Sequence, residues 1–287
     1  MQKYIDKAKT LIEALPYIRS FSGKTVVIKY GGSAMLNDDL KKNVIQDIAL
    51  MKLVGMRPVI IHGGGPEINK HLEKIGKKIE FINGLRVTDE ETMEAVEMVL
   101  AGKINKSIAT DIQSQGVNSV GISGKDGNTL IAIKKHIDGK DMGHIGEVET
   151  VNPSLIETLI EKCFVPVIAP IAKDIHGNSY NVNADYAASA IAGALKAEKL
   201  VFLTDIEGVL KDVNDPKTII SNMTITEAEN LIKQGVIAGG MIPKVDCCIE
   251  GVKKGVKTVH ILDGRIQHSL LLEIFTDQGI GTMIRED

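Results

Sequence analysis

The sequence predicts an α/β fold, a three-layer αβα sandwich around a mostly parallel open sheet. Three observations carry that prediction. Strand-like and helical patterns alternate almost throughout the 287 residues, as in sheets whose crossovers are helices. Most strand-like runs are continuous in Val and Ile rather than alternating with polar residues, which marks strands covered on both faces. Glycine-rich turns follow several of these runs, where open parallel sheets hold their ligands.

Taken in order, Met1–Phe21 reads as helical, with Ile5, Ala8, Ile12 and Leu15 on one apolar stripe and Pro16 ending or kinking it. It either packs on its own domain or forms an arm that docks on another subunit. Sheet strands are expected at Thr25–Tyr30, Pro58–His62, Val117–Ile122, Val165–Ile168, Leu200–Thr204 and Thr258–Leu262. Between them, Leu40, Val44, Ile48 and Met51 share one helical face, and Val245, Cys248, Ile249 and Val252 share another. Asn128–Val151 is less regular. Its TLIAIKK and GEVETV segments, with glycines between them, predict a small antiparallel excursion or flap. Polar turn residues at Gly177–Asn183 mark a weak division into an arm (1–21), an N-lobe (22–180) and a C-lobe (181–287).

Composition narrows the function. A net charge of −3 argues against nucleic-acid binding, and 3% aromatic residues leave no platform for stacked bases. The longest apolar run, VPVIAPIA at Val165–Ala172, is too short to span a bilayer. Charged residues interrupt the N-terminus before a secretory core can form. Cys163, Cys247 and Cys248 lack metal-ligand spacing and indicate a reducing, cytoplasmic compartment. Adjacent Cys247 and Cys248 read as small helix residues, and no protein metal site is expected.

The chemistry-bearing segments share one theme. Lys29 lies in TVVIKYGG and Lys244 in GGMIPKV, each beside glycines. Glycines let backbone N–H groups approach a phosphate or carboxylate closely, and lysines offset repulsion between two anionic reactants. Phosphoryl transfer between anions needs that combination most. Gly31 and Gly32 can expose amides to a phosphate. In HGGGP, Gly64 and Gly65 lead into a helix with Pro66 in its first turn, so the positive end of that helix faces any anion held there. His62 is assigned no acid–base role. Arg86 in NGLRVTD is suited to clamping a carboxylate through two parallel hydrogen bonds, with Thr88 or Asp89 capping the next helix. Asn181, Asn183 and Asp185 alternate along YNVNAD and can face one site, although Asn183 is equally well read as an N-cap. Asp185 either holds the lysine ammonium groups in place or helps to position Mg²⁺. The LTDIEGVL turn, with Asp205, Gly208, Val209 and Leu210, fits a nucleotide-binding edge. Two familiar motifs are absent. Ile18 occupies the first glycine position of a P-loop, and Ile68 the last glycine position of a dinucleotide fingerprint.

Together KYGG, HGGGP, NGLRVTD, YNVNAD and GGMIPKV resemble the amino-acid kinase superfamily, and most closely its N-acetylglutamate kinase family, along nearly the whole chain. The resemblance implies that fold, and transfer of the ATP γ-phosphoryl group to the side-chain carboxylate of N-acetyl-L-glutamate in arginine biosynthesis. It implies that Lys29 and Lys244 stabilise the transition state and that Asp185 orients them. It assigns Gly64, Gly65, Arg86 and Asn181, with Asn183 beside them, to the acetylamino acid, which binds in the N-lobe. It assigns the Asp205–Leu210 turn and the region of Ile237 to ATP with Mg²⁺, in the C-lobe. The ends of the chain are similar to the arginine-inhibited branch, in which the N-terminal helix links dimers into a hexamer. That similarity makes Tyr17, Lys211, His268, Glu273 and Gly279 candidates for an L-arginine site, with Glu273 available to the guanidinium. A nitrogen-signalling protein is a further possible partner. The competing readings are a kinase of another carboxylate or carbamate, and a non-catalytic amino-acid sensor.

Overall fold

The computed structural model describes residues 1–137, 139–276 and 279–287, without the side chains of residues 7 and 137. In chain order its strands begin with β1 (Thr25–Tyr30), β2 (Arg57–His62), the two-residue β3 and β4 (Phe81–Ile82, Leu85–Arg86) and β5 (Ser119–Ser123). Then come β6 (Leu130–Ile137), β7 (Lys140–Val151), β8 (Val165–Ala169), β9 (Ile171–Lys173) and β10 (Ser179–Val182). The last are β11 (Lys199–Thr204), β12 (Asn222–Thr224), β13 (Thr258–Asp263) and β14 (Thr282–Arg285).

Eight of them form one sheet in the order β12-β14-β13-β11-β1-β2-β8-β5. All six expected strands lie in it and run parallel. β14 is antiparallel to β13, and three-residue β12 adds an edge. β1 pairs on one side with β2 and on the other with β11. The strand order reverses there, so the crevice beyond the carboxyl ends of β1 and β11 is the natural ligand position.

Side chains alternate between two cores. Val26, Ile28 and Tyr30 join one and Val27 the other, while β2 sends Ile60 one way and Val59 and Ile61 the other. The first face is covered by α4 (Asp38–Leu53), α5 (Gly65–Lys74), α6 (Glu90–Glu97), α7 (Asn105–Gln113) and α12 (Ser269–Phe275). The second is covered by α8 (Ser154–Glu161), α9 (Ala184–Ala194), α10 (Ile225–Lys233) and α11 (Met241–Lys253). Each buried aliphatic side chain contributes about 1.5–3 kcal/mol relative to exposure. Exposed ion pairs are generally worth about 0–1 kcal/mol, so the two cores dominate stability. Asn37 caps α4, Asp89 caps α6, and a Thr224–Glu227 capping box starts α10.

The irregular middle is the antiparallel β6–β7 hairpin, which with β9 and β10 closes into a small four-stranded barrel. Residue 138 at its tip lies outside the described residues. The N-terminal helix is interrupted just before Pro16, as expected. It forms α1 (Gln2–Glu13) and α2 (Leu15–Phe21), and Pro16 sits in the first turn of α2. Proline is tolerated there because its missing N–H needs no partner. The described side chains of α1 are all exposed, Ile12 at 68%, so the first turns do not pack on their own domain. α2 leans on α12, and Phe21 reaches the core.

Candidate active site

Lys29, at the carboxyl end of β1, and Lys244, in the first turn of α11, meet on one carboxylate. Lys29 Nζ lies 2.9 Å from Asp185 Oδ1, and Lys244 Nζ lies 3.3 Å from Asp185 Oδ2. Both ammonium groups therefore converge on one point although 215 positions apart in the sequence. Asp185 reaches them because Asn183 caps α9, its side-chain oxygen accepting from the Asp185 N–H at 2.8 Å. Burial by itself would raise the Asp185 carboxyl, but the two lysines outweigh it and hold it below the usual carboxylate range. The ionised carboxylate offsets two like charges that would otherwise repel.

The Gly31–Gly32 turn lies against the same centre. A Cβ at Gly31 would stand 2.8 Å from Lys29 Nζ, so only glycine leaves the lysine its path. Gly32 has φ +68°, and a Cβ there would meet Asp205 Oδ1 at 2.6 Å. Asp205 accepts from the Ser33 N–H at 2.7 Å. It thus pins the glycine turn to the end of β11 while also lining a second cavity.

That cavity, about 310 Å³, is bounded by the Asp205–Leu210 turn, Val236, Ile237 and Ala238, Met241 and Arg265. Gly208, Val209, Leu210 and Ile237 all line it, as the sequence places them. Its lining is mainly aliphatic, with two carboxylates and one guanidinium.

A separate cavity of about 190 Å³ is lined by Gly63–Gly65, Phe81, Leu85, Arg86, Leu100, Asn181 and Asn183, among others. Here Gly64, Gly65, Arg86, Asn181 and Asn183 come together. Arg86 is buried, donates from Nη2 to the Gly65 carbonyl at 3.2 Å, and stacks over the Phe81 ring at 4.7 Å. Its Nη1 is buried without a partner in the protein. Burial lowers the Arg86 pKa, yet a guanidinium stays charged, so this donor is poised for an anion. Asn181 donates from Nδ2 to Thr88 Oγ1 at 3.4 Å. The Asn183 oxygen is spent on its cap, leaving its NH₂ for the cavity. Gly64 is small for a packing reason. A Cβ there would lie 2.4 Å from Ile104 Cδ1 and 2.5 Å from Leu100 Cδ2. Both leucine and isoleucine project from a π-helical stretch, Met98–Ile104, between α6 and α7, a distortion that recurs at functional sites.

His62 has no freedom to act as a base. Nδ1 faces the Gly63 carbonyl at 2.8 Å, Asn105 Nδ2 donates to Nε2 at 3.2 Å, and burial pushes its pKa down to about 4. Cys247 and Cys248 are buried within α11, and burial pushes the Cys247 thiol up to about 12. Among the described residues no group of three His, Cys, Asp or Glu is placed to hold a metal, and no helix is long and apolar enough to cross a membrane.

The five residues assigned to arginine are only partly gathered. Gly279 lies against Glu273, whose Oε2 accepts from the Ile280 N–H at 3.0 Å and whose Oε1 pairs with His260 Nδ1 at 2.7 Å. Lys199 Nζ in turn lies 3.0 Å from His260 Nε2. Glu273 is therefore engaged on both oxygens. His268 pairs with Asp47 of α4 at 2.6 Å. Lys211 belongs to the loop beside the aliphatic cavity, and Tyr17 is half-buried on α2. Among the described residues no hydrogen bond or ion pair joins Lys211, His268 or Tyr17 to Glu273.

Three features escaped the sequence reading. Asn83-Gly84, both at positive φ, forms the two-residue turn of the β3–β4 hairpin that presents Arg86, and Asn-Gly was the available signal. The π-helical stretch has no recognised sequence mark. Arg265 carried none beyond its charge.

Comparison with known proteins agrees with this geometry. A family model described as the amino acid kinase family matches residues 24–263. The chain is 58% identical to the acetylglutamate kinase of Thermoanaerobacter pseudethanolicus over 289 aligned positions, covering 100% of this chain and 96% of the relative. Among solved structures it resembles an N-acetylglutamate synthase from Neisseria gonorrhoeae complexed with coenzyme A and N-acetyl-glutamate. The TM-score is 0.85 at 29% identity, covering 98% of this chain and 63% of that longer one. The same synthase complexed with coenzyme A and L-arginine matches at TM-score 0.81 and 27% identity, covering 98% of this chain and 65% of that one.

Proposed function

The chain belongs to the amino acid kinase family, and from that premise we propose that it transfers the γ-phosphoryl group of ATP to the side-chain carboxylate of N-acetyl-L-glutamate, as an acetylglutamate kinase. The observation that carries the reading is the Lys29–Asp185–Lys244 centre, with Asn183 and Ala184 next to Asp185 lining one cavity and Met241, in the same helical turn as Lys244, lining another of different character. The smaller cavity, with the unpaired Arg86 donor, takes the acetylamino acid. The aliphatic cavity takes the adenine nucleotide.

The chemistry needs little else. A glutamyl side-chain carboxylate has a pKa of about 4.3, so the acceptor is already a nucleophile at neutral pH. No general base is required, and His62 is not one. Catalysis then consists of alignment and charge stabilisation. Lys29 and Lys244 face the charge that develops on the migrating group, and Gly31, Gly32, Gly64 and Gly65 supply backbone amides. Mg²⁺ fits a site held chiefly by nucleotide oxygens, with Asp205 and Glu207 the carboxylates at the cavity mouth. When bound it draws charge from the leaving diphosphate.

Hydroxylamine trapping of the acyl phosphate tests the reading. Hydroxamate should form with N-acetylglutamate and ATP, and not with glutamate, aspartate or carbamate. Product with carbamate alone would make it a different kinase, and no product with any acceptor would favour a sensor. Arg86→Ala should raise the KM for N-acetylglutamate by about 10–100-fold, the loss expected of a charge-assisted bond worth about 1.5–3 kcal/mol. An unchanged KM would remove Arg86 from the acceptor site.

Inhibition by L-arginine and a hexamer built through the N-terminal helix belong to the same proposal. The exposed apolar residues of α1 support the arm, and the clustering of Glu273 and Gly279 beside α2 supports the effector site. Because Glu273 already bonds His260 and Ile280, arginine would have to share or displace those partners. A flat activity curve up to millimolar L-arginine would discard the effector. Identical elution of the chain with and without residues 1–20 would discard the arm.

A further inference from the structure

We propose that Arg265 binds the diphosphate of the nucleotide, closing the gap between the aliphatic cavity and the Gly31–Gly32 turn. The inference rests on the reading of that cavity as the nucleotide site.

Arg265 is the one cationic side chain lining the cavity among the described residues, and the carboxylates Asp205 and Glu207 line it too. A polyphosphate entering there meets two like charges, and a cation must offset them for the tail to lie in the mouth. The side chain is also held in place. Asp263, buried at the end of β13, accepts from Arg265 Nε at 2.9 and 3.2 Å, from Nη2 at 2.8 Å, and from its backbone N–H at 2.8 Å. One edge of the guanidinium is thereby locked, and Nη1 with the outer hydrogen of Nη2 is left for another oxygen acceptor. A planar fork fixed in this way recognises phosphate oxygens in a defined orientation.

Its neighbours fix where that acceptor lies. The Gly264 N–H bonds the Thr204 carbonyl at 2.8 Å, joining the end of β13 to the end of β11. A Cβ at Gly264 would stand 3.1 Å from Ala34 Cβ, in the short helix Ser33–Leu36 that directly follows the Gly31–Gly32 turn. Arg265 is thus next in sequence to the residue that packs on the helix directly after the glycine turn, while its side chain lines the aliphatic cavity. Adenine in the aliphatic cavity and a γ-phosphoryl group near Lys29 and Lys244 leave the α and β phosphates to cross this position. The side chain is 48% exposed, but its removal takes the ion-pair partner from buried Asp263, so Arg265→Ala is expected to lower the melting temperature while still folding.

The test is titration calorimetry of the whole chain with ADP and, separately, with adenosine, alongside steady-state kinetics. Arg265→Ala should weaken ADP by about 10–100-fold and leave adenosine unchanged, with KM for ATP rising in step and KM for N-acetylglutamate unmoved. Arg265→Lys should recover part of the ADP affinity, because it keeps the charge and loses the fork. Unchanged ADP affinity in Arg265→Ala would overturn the proposal, and so would equal losses for ADP and adenosine. If the wild-type chain binds neither molecule, the nucleotide reading itself falls, and a cooperative melt well above the assay temperature separates every outcome from misfolding.

Discussion

Lys29→Ala is expected to lower kcat by about 10²–10³-fold, and Lys244→Ala by a similar factor, with KM for each substrate changing only a few-fold. The size follows from what one preorganised donor is worth when it faces charge that grows in the transition state. Lys29 has 12% of its side chain exposed and Lys244 has 27%, so both act where water screens them weakly. Both are also pre-placed. Asp185 holds their ammonium groups before any substrate arrives, so little reorganisation is left for the chemical step. The split between kcat and KM is the discriminating measurement, because ground-state binding is assigned to Arg86, the glycine amides and the nucleotide cavity. Near-normal kcat in either variant would refute the shared site. Removing one lysine leaves Asp185 with a single partner, so a lower melting temperature is expected as well. Lys29→Arg separates the two effects. It keeps the charge beside Asp185 and should recover stability more than turnover, since a planar fork cannot reproduce a point charge in the space over Gly31.

Much of this arrangement was legible in the sequence because it depends on residues whose reasons are local. A glycine beside a lysine at the end of a Val/Ile run is needed whenever a side chain must fold back over the backbone, as Lys29 does over Gly31. Continuous apolar runs disclosed strands covered on two faces, and each of the six lies in the parallel sheet. What stayed hidden was decided by partners distant in sequence. Asn183 looks the same as a helix cap and as a ligand, until its oxygen is seen on the Asp185 N–H. Asp205 belongs to the nucleotide turn, yet one of its oxygens is committed to Ser33, 172 positions away. Glu273 reads as a free carboxylate and is in fact joined to His260 and the Ile280 amide. β12 and β14 are short strands of three and four residues, and their pairing comes from β14 docking on β13 and β12 on β14 more than from any pattern of their own. The small barrel closes only when β6 and β7 meet β9 and β10, which no window on Asn128–Val151 contains. The break between α1 and α2 at Ala14 is subtler. Ala14 keeps helical backbone angles, so the expected interruption falls just before Pro16, and Pro16 itself opens the next helix.

Asp185→Asn should cost about as much turnover as losing one lysine, again about 10²–10³-fold, although it changes a single atom. The carboxylate presents one oxygen to each ammonium, Oδ1 to Lys29 at 2.9 Å and Oδ2 to Lys244 at 3.3 Å. An amide offers one acceptor and one NH₂, so whichever lysine meets the NH₂ faces a donor and is pushed out of line. Two ammonium groups would also share a confined site without a counter-charge, so the variant should be less stable near neutral pH. The pH dependence then identifies the cause. The Asp185 pKa is depressed in the folded chain, by the lysines against the opposing effect of burial. A depressed carboxyl contributes stability that is fully present above its unfolded pKa of about 3.9 and is lost as pH falls through the folded value. The gap in melting temperature between wild type and Asp185→Asn should therefore hold from neutral pH down to about 4 and narrow below it. A gap that stayed constant to lower pH would mean that Asp185 acts through packing, and a variant with full kcat would show that the lysines need no common anchor.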